Sequence, residues 1–126
     1  MRNLAFARLW SDDRGTSGVE FAILAPALIV LLVGTVYICL GLFLVGSLHY
    51  AVEEGARCAS IKTTVCSDAP TILAYTQHQY FGPSPVPAFT YATAGCGNVV
   101  SGSVTYVVNL GVTQVSVPVA ASACFP

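Results

Sequence analysis

Arg14-Gly15-Thr16-Ser17-Gly18-Val19-Glu20-Phe21 opens an apolar run that continues to about Leu48. Arg2, Arg8 and Arg14 precede this run, and no charge interrupts it after Glu20. Its length, about 28 residues or about 42 Å of helix, exceeds a hydrocarbon core of about 30 Å. The surplus lets a helix tilt or project beyond the bilayer. A cleaved secretory signal would have an apolar region of only about 7–15 residues, so the length favours a retained anchor. Lysine and arginine counts orient it: three arginines precede the run, whereas Arg57 and Lys62 follow it beside Glu53 and Glu54. The positive-inside rule then places the N-terminus in the cytoplasm and everything after about Leu48 outside. Glu20 is the residue that most needs a reason, because a carboxylate at the start of a span is costly unless something pairs with it.

Composition narrows the remainder. The 126 residues leave room for one span and one small domain. Charged residues make up 9% and hydrophobic ones 55%, against about 25% charged in typical soluble proteins, so a membrane or a polymer must cover much of the surface. A net charge of −1 provides no basic field for nucleic acid.

Cys39 lies inside the apolar run, and Cys58, Cys66, Cys96 and Cys124 follow it. Four cysteines on one side of a membrane, in a domain with little core, form the pattern of a disulfide framework in an oxidising compartment. Three pairings are open to them. Local spacing favours Cys58 with Cys66 and Cys96 with Cys124. No CxxC is present, and His78 would be the one imidazole available to a metal, so no metal site and no cofactor are expected.

Along the chain, residues 1–15 form a short leader of apolar islands among arginines, ending in a polar break. Pro26 falls early in the apolar run, where it removes a backbone donor. Gly34, Gly41 and Gly46 are small residues of the kind found where membrane helices approach closely. The segment from His49 to about Ile61 keeps a helical period with Val52, Ala56, Ala59 and Tyr50 on one side. It extends the span as one long helix over 16–61, with Glu53 and Arg57 at i,i+4 spacing. Thr71–Phe81 is compatible with a short helix or a strand, helix being preferred. Gly82 to Pro87 contains three prolines and is a stiff loop. Ala88–Thr93, Gly102–Asn109 and Val112–Ala120 are rich in Val, Thr and Tyr, alternate in polarity and are separated by glycine-containing breaks, which predicts strands. Leu110-Gly111 marks the turn between the last two, Gly95-Cys96-Gly97 is a turn carrying a disulfide partner, and Pro118 assigns the last strand to an edge or a bulge. The expected class is α+β: a leader over 1–15, a membrane-spanning and emergent helix over 16–61, and a small antiparallel β domain, disulfide-stapled, over 62–126.

No catalytic set can be assembled. Acids after the span are few, no nucleophile has a motif-paired base, and no phosphate loop is present. An enzyme and a small-molecule substrate are therefore not expected.

Gly15, four residues, Glu20-Phe21-Ala22, Pro26 and a long apolar helix resemble the prepilin-peptidase site of type IV pilin-like proteins, in the form used by the tight-adherence (Tad/Flp) pilus system. Glu54-Gly55-Ala56-Arg57 adds a likeness to the TadE-like pseudopilins, with Val52 standing where that family commonly has an arginine. The resemblance covers roughly Arg14 to Ile61. It implies cleavage by a membrane prepilin peptidase between Gly15 and Thr16, and an assembly contact at Glu20 and Phe21, with the Glu20 carboxylate pairing with the new α-amino group of a neighbouring subunit. Gly18 is a rival cleavage point, but it would leave Glu20 only two residues in. The implied protein is a minor pilin-like subunit of the bacterial inner membrane, N-terminus cytoplasmic and remainder periplasmic or extracellular. Its partners would be the peptidase, other pilin-like subunits and the Tad assembly platform. An unprocessed single-pass envelope protein whose β domain binds a periplasmic or surface partner, and a major subunit of an unusual pilus, are the alternatives.

Overall fold

In the computed structural model, residues 16–109, 111 and 113–126 are described. The leader, including Gly15, and Leu110 of the expected turn lie outside them. The long apolar run forms one α-helix, α1, over Thr16–Ile61. Pro26 lies within it and removes the N–H that would reach the carbonyl of Ala22. The chain divides into two units, the first ending at Val36 and the second running Tyr37–Pro126.

In the first unit the described residues are helix, and their apolar side chains point outward. Phe21, Ile23, Leu24, Leu28 to Val33 and Val36 are all exposed. The Thr35 hydroxyl donates to the Leu31 carbonyl at 2.8 Å, so its polar group is satisfied within the helix.

The second unit adds α2 over Ala69–Gln79 and three strands, β1 over Ala88–Ala94, β2 over Gly97–Asn109 and β3 over Gln114–Phe125. The strands form an antiparallel meander in the order β1-β2-β3. Register aligns Tyr91, Val100 and Ala123, then Phe89, Gly102 and Ala121. Side chains alternate across a strand, so these residues share one face with Val104, Tyr106 and Val119. That face meets Leu44, Leu48, Val52 and Ala56 of α1, spaced four apart and fully buried, in one core with Val100, Val104 and Ala121. The buried Ser47 Oγ accepts from the Phe81 N–H at 3.0 Å, and the buried Thr76 hydroxyl donates to the Ile72 carbonyl at 2.8 Å. Among the described residues no buried side-chain polar atom lacks a partner.

α2 begins at Ala69, with Pro70 in its first turn, where a proline costs no helix hydrogen bond. Asp68 caps it. Its N–H donates to Thr71 Oγ1 at 3.2 Å, and the Thr71 hydroxyl donates to Asp68 Oδ1 at 2.6 Å. Hydrogen bonds from Thr71 and then Ser67 hold the Asp68 carboxyl below its ordinary value. The preferred helix for Thr71–Phe81 is thus present, shifted two residues toward the N-terminus by its cap.

Two strand boundaries and two side-chain placements depart from the sequence reading. β2 starts at Gly97 rather than Gly102, because Gly97 to Ser101 pairs with β1 and Asn98 to Ser101 pairs with β3 as well. Gly97 itself sits at φ +119°, where only glycine is unstrained, as the turn out of β1 requires. β3 continues to Phe125, five residues past Ala120. The Ala-Ala-Ser-Ala stretch has little strand propensity of its own but pairs with Val100 to Ser103 along β2. Tyr50 does not join the core stripe; it is exposed and lies against the Phe81 ring at 5.6 Å. Arg57 pairs with Glu54 at 3.7 Å, one turn away at i,i+3, rather than with Glu53. Pro118 lies on β3, an edge strand, where its missing donor is tolerated.

Cys58 bonds Cys66 and Cys96 bonds Cys124, with Cα–Cα separations of 5.8 and 6.3 Å. The first closes the turn that follows α1, where Lys62 N–H donates to Cys58 O and Cys66 N–H to Lys62 O. The second ties the β1–β2 turn to the end of β3. Cys39 is free and exposed.

Alkylation of unreduced, denatured protein should therefore label Cys39 alone, read by peptide mass mapping. Cys96 and Cys124 are exposed, so replacing both with alanine removes little packing and reports loop closure. For a separation of 28 residues the expected loss is about 3–4 kcal/mol, measured by denaturant unfolding in detergent.

Candidate functional site

No group of three or more His, Cys, Asp or Glu able to hold a metal occurs among the described residues. Two shallow depressions lie on the second unit. One, about 330 Å³, is lined by small side chains of the outer sheet face, including Thr90, Ser101, Ser103 and Ser122. The other, about 380 Å³, is lined by Glu53, Arg57 and residues Ser122 to Phe125. Neither lining contains a histidine or a free thiol beside an acid. The residues with a distinctive arrangement are instead on α1, at its start and where it carries charge again.

At the start, Thr16 is the first described residue of α1 and Glu20 is in its second turn. The Glu20 backbone N–H is therefore satisfied inside the helix, and its exposed carboxylate stands beside exposed Val19 and Phe21. No cation among the described residues pairs with it. α1 is also the one described helix long and apolar enough to cross a membrane. A carboxylate at the centre of such a span costs about 2.5–3.5 kcal/mol, less toward an end, so Glu20 marks either a boundary of the span or a place where a partner cation arrives.

At the other end, Val52 to Arg57 separates its residues by face. Val52, Gly55 and Ala56 are buried, while Glu53 and Arg57 are exposed. Gly55 lies directly under Thr76 of α2. A methyl group at Gly55 would run into the Thr76 hydroxyl, with Thr76 Cβ at 3.2 Å and Cγ2 at 3.3 Å. Glycine at a helix interior costs about 1 kcal/mol relative to alanine, and its presence among good helix formers was the available signal for this close approach. The Arg57 guanidinium lies 5.6 Å from the centre of the Phe125 ring while its Nη1 is held by Glu54. The segment thus joins α1 to α2 through Gly55 and to the end of β3 through Arg57. Ser60 extends the same seam: its Oγ lies 3.1 Å from the Phe125 carbonyl, to which its hydroxyl can donate, and accepts from Asn98 Nδ2 at 3.0 Å. Sequence spacing could not reveal the Arg57 and Ser60 contacts, because Asn98 is 38 residues from Ser60 and Phe125 lies farther still along the chain.

Lys62 closes this region. Its ammonium donates to the Tyr75 hydroxyl at 3.2 Å and lies 5.3 Å from that ring's centre. The Tyr75 hydrogen bond raises the Lys62 pKa above its ordinary value. His78 is exposed in the last turn of α2.

Residues 15–57 match the family model described as TadE-like protein. The match spans about a third of the chain, from the residue before α1 to Arg57. No match was found among curated proteins or among solved structures. The matched stretch thus includes the stripe Leu44, Leu48, Val52 and Ala56 that backs the sheet, and ends before α2 and the strands.

Gly55→Ala should destabilise the second unit by about 1–3 kcal/mol, the usual range for overpacking, although alanine is the better helix former. In a Thr76→Ala background the same change should be close to neutral. A double-mutant cycle by thermal unfolding in detergent tests this, and a stabilised Gly55→Ala single variant would contradict the close approach.

Proposed function

We propose that this chain is a pilin-like structural subunit of a Tad-type pilus or related secretion assembly, matured between Gly15 and Thr16 and incorporated by packing of α1. The match of residues 15–57 to the TadE-like model, beginning at the residue before the proposed scissile bond, carries this reading. The exposed apolar surface of Phe21 to Val36 is consistent with it, since such a surface suits lipid before assembly and neighbouring helices afterwards.

In this reading α1 is a membrane anchor first and a packing element second, with the N-terminus cytoplasmic and the second unit in the periplasm or outside the cell. A prepilin peptidase cuts after Gly15, where the absence of a side chain admits an extended backbone. Thr16 becomes the first residue and Glu20 the fifth. The Glu20 carboxylate then pairs with the new α-amino group of a neighbour, and Phe21 packs beside it. Left unpaired, that carboxylate would oppose insertion by about 2 kcal/mol or more; paired, it sets the axial register between helices. The subunit is a minor one, because its second unit is a sizeable sheet domain, whereas the major subunits of such pili are little more than the helix. The work is structural, done by helix packing, with no bond made or broken by this chain.

Intact-mass measurement of membrane-extracted protein should place the N-terminus at Thr16 in cells with an active prepilin peptidase. A retained Met1 there would overturn the reading in favour of an unprocessed envelope protein. Glu20→Ala should leave membrane insertion unchanged and lower recovery in the sheared pilus fraction about tenfold, the change expected for about 1.4 kcal/mol of lost pairing. Unchanged recovery would remove the pairing role from Glu20.

A further inference from the structure

Between Glu20 and the second unit, α1 has only the sixteen residues Phe21–Val36, about 24 Å of helix. A hydrocarbon core is about 30 Å thick, and tilting widens the shortfall. Either Glu20 is drawn about one turn into the acyl region, or the start of the second unit is. The second unit begins at Tyr37, and the chain that meets it there is the far end of the β2–β3 hairpin. The Tyr106 hydroxyl donates to the Tyr37 carbonyl at 3.1 Å, and the Tyr37 hydroxyl donates to the Asn109 carbonyl at 3.3 Å. The hairpin end therefore lies beside Tyr37, within the apolar run that continues to Leu48.

Its chemistry suits that level. Val107, Val115 and Val117 are 49%, 47% and 45% exposed, on both faces of the hairpin end. No Asp, Glu, Lys or Arg occurs anywhere from Ala69 to Pro126. Farther along α1, Phe43 and Phe81 are about half exposed with ring centres 5.8 Å apart. Charge returns only at Glu53, about 50 Å from Glu20 and clear of the headgroups. Depth is limited by the backbone. β1 pairs with β2 only as far as Ser103, so beyond that residue β2 has β3 alone beside it. Its unpaired edge needs water or headgroups, which excludes the acyl interior and favours the boundary.

We propose that the hairpin end around Val107, Val115 and Val117, with Tyr37 behind it and the Phe43–Phe81 pair above it, is a lipid-contacting foot that seats the second unit in the headgroup–acyl boundary of the leaflet from which α1 emerges. The occupant is lipid, because the exposed, uncharged valines lie beside the apolar run of α1, the helix long enough to cross a membrane, with Tyr37 the residue of interfacial type among them. This inference rests on α1 as a membrane span and is independent of cleavage or assembly.

The test uses the full chain, uncleaved, in phosphatidylcholine–phosphatidylglycerol vesicles at high lipid-to-protein ratio. Trp10→Phe removes the single native tryptophan, and Val115→Trp or Thr90→Trp supplies one reporter, Thr90 being on β1, opposite Ser101 and away from the hairpin end. Lipids brominated near the headgroup should quench Val115→Trp about twofold or more strongly than Thr90→Trp, as residence at the boundary implies. Aqueous iodide should rank the two in the reverse order. Phe81→Trp, whose site does not form part of the hairpin, should also be quenched by the brominated lipid. Equal iodide access at Val115 and Thr90 overturns the proposal. Protection of Val115 from iodide without quenching by brominated lipid also overturns it, by assigning the surface to a protein partner.

Discussion

The contact between the stripe Leu44, Leu48, Val52 and Ala56 and the inner face of the sheet is the interaction on which the second unit depends. Three strands have one face to bury, and a meander of that size is marginal without something packed against it. Here the partner is the continuation of a helix long and apolar enough to cross a membrane. Burying a Leu or Val side chain is worth about 1.5–3 kcal/mol, so this single row supplies a large part of the apolar stabilisation available to so small a sheet. The Cys96–Cys124 bond then holds the end of β3 against the β1–β2 turn, and Cys58–Cys66 fixes the path by which the chain leaves α1 for α2. Helix, sheet and cross-links form a closed set in which the helix is the common member.

That dependence explains the form of the charged segment where α1 nears its end. Glu54 and Arg57 hold one another on the surface, Arg57 also covers Phe125, and Gly55 removes its side chain so that α2 can approach. Individually these are small terms: an exposed ion pair contributes about 0–1 kcal/mol and an exposed cation–π contact about 0.5–1 kcal/mol. Their value is positional. They attach the last strand and the second helix to the same two turns of α1, which fixes how the sheet is presented from the helix end.

The helix was legible from its uninterrupted apolar run, and its full extent from the periodicity beyond Leu48. The two disulfides follow the pairing favoured by local spacing, and Pro118 falls on an edge strand as its missing donor demands. The strand boundaries were less legible. Gly97 and Asn98 have turn composition yet pair with Ala94 and Thr93 across a tight hairpin, whereas Ala120 to Ala123, of weak strand propensity, is held by Val100 to Ser103, well before it in the chain. Local pattern contains no information about such pairing. Tyr50 was misassigned for a simpler reason: it is two residues from both Leu48 and Val52, which puts it across the helix from the stripe, whereas Ala51, three residues after Leu48, falls beside the stripe and is buried. At the candidate site, Glu20 was conspicuous as a lone carboxylate in an apolar run, whereas the partners of Arg57 and Ser60 come from the far end of the chain. Gly15 is prominent in the sequence but outside the described residues.

Charge distribution connects these parts. Among the described residues, formal side-chain charge other than histidine is confined to Glu20 and the stretch from Glu53 to Asp68. The sheet, the hairpin and α2 beyond its cap have none, so their exposed surface is kept soluble by serine, threonine, asparagine and backbone rather than by ions. A surface of that kind incurs little desolvation penalty when it meets lipid or another subunit, since no charge has to be stripped of water. Glu20 is the exception, and its position makes the exception informative. One turn deeper it would oppose insertion more strongly; one turn nearer the leader it would sit in headgroup water, where an incoming ammonium would gain little by pairing with it. Under the proposed function, with α1 as the span, the carboxylate at its edge would be tolerated while the chain stands alone and would attract a cation brought into the same low-dielectric surroundings. The same residue would then help to set both the depth of the isolated chain and the register of an assembled one.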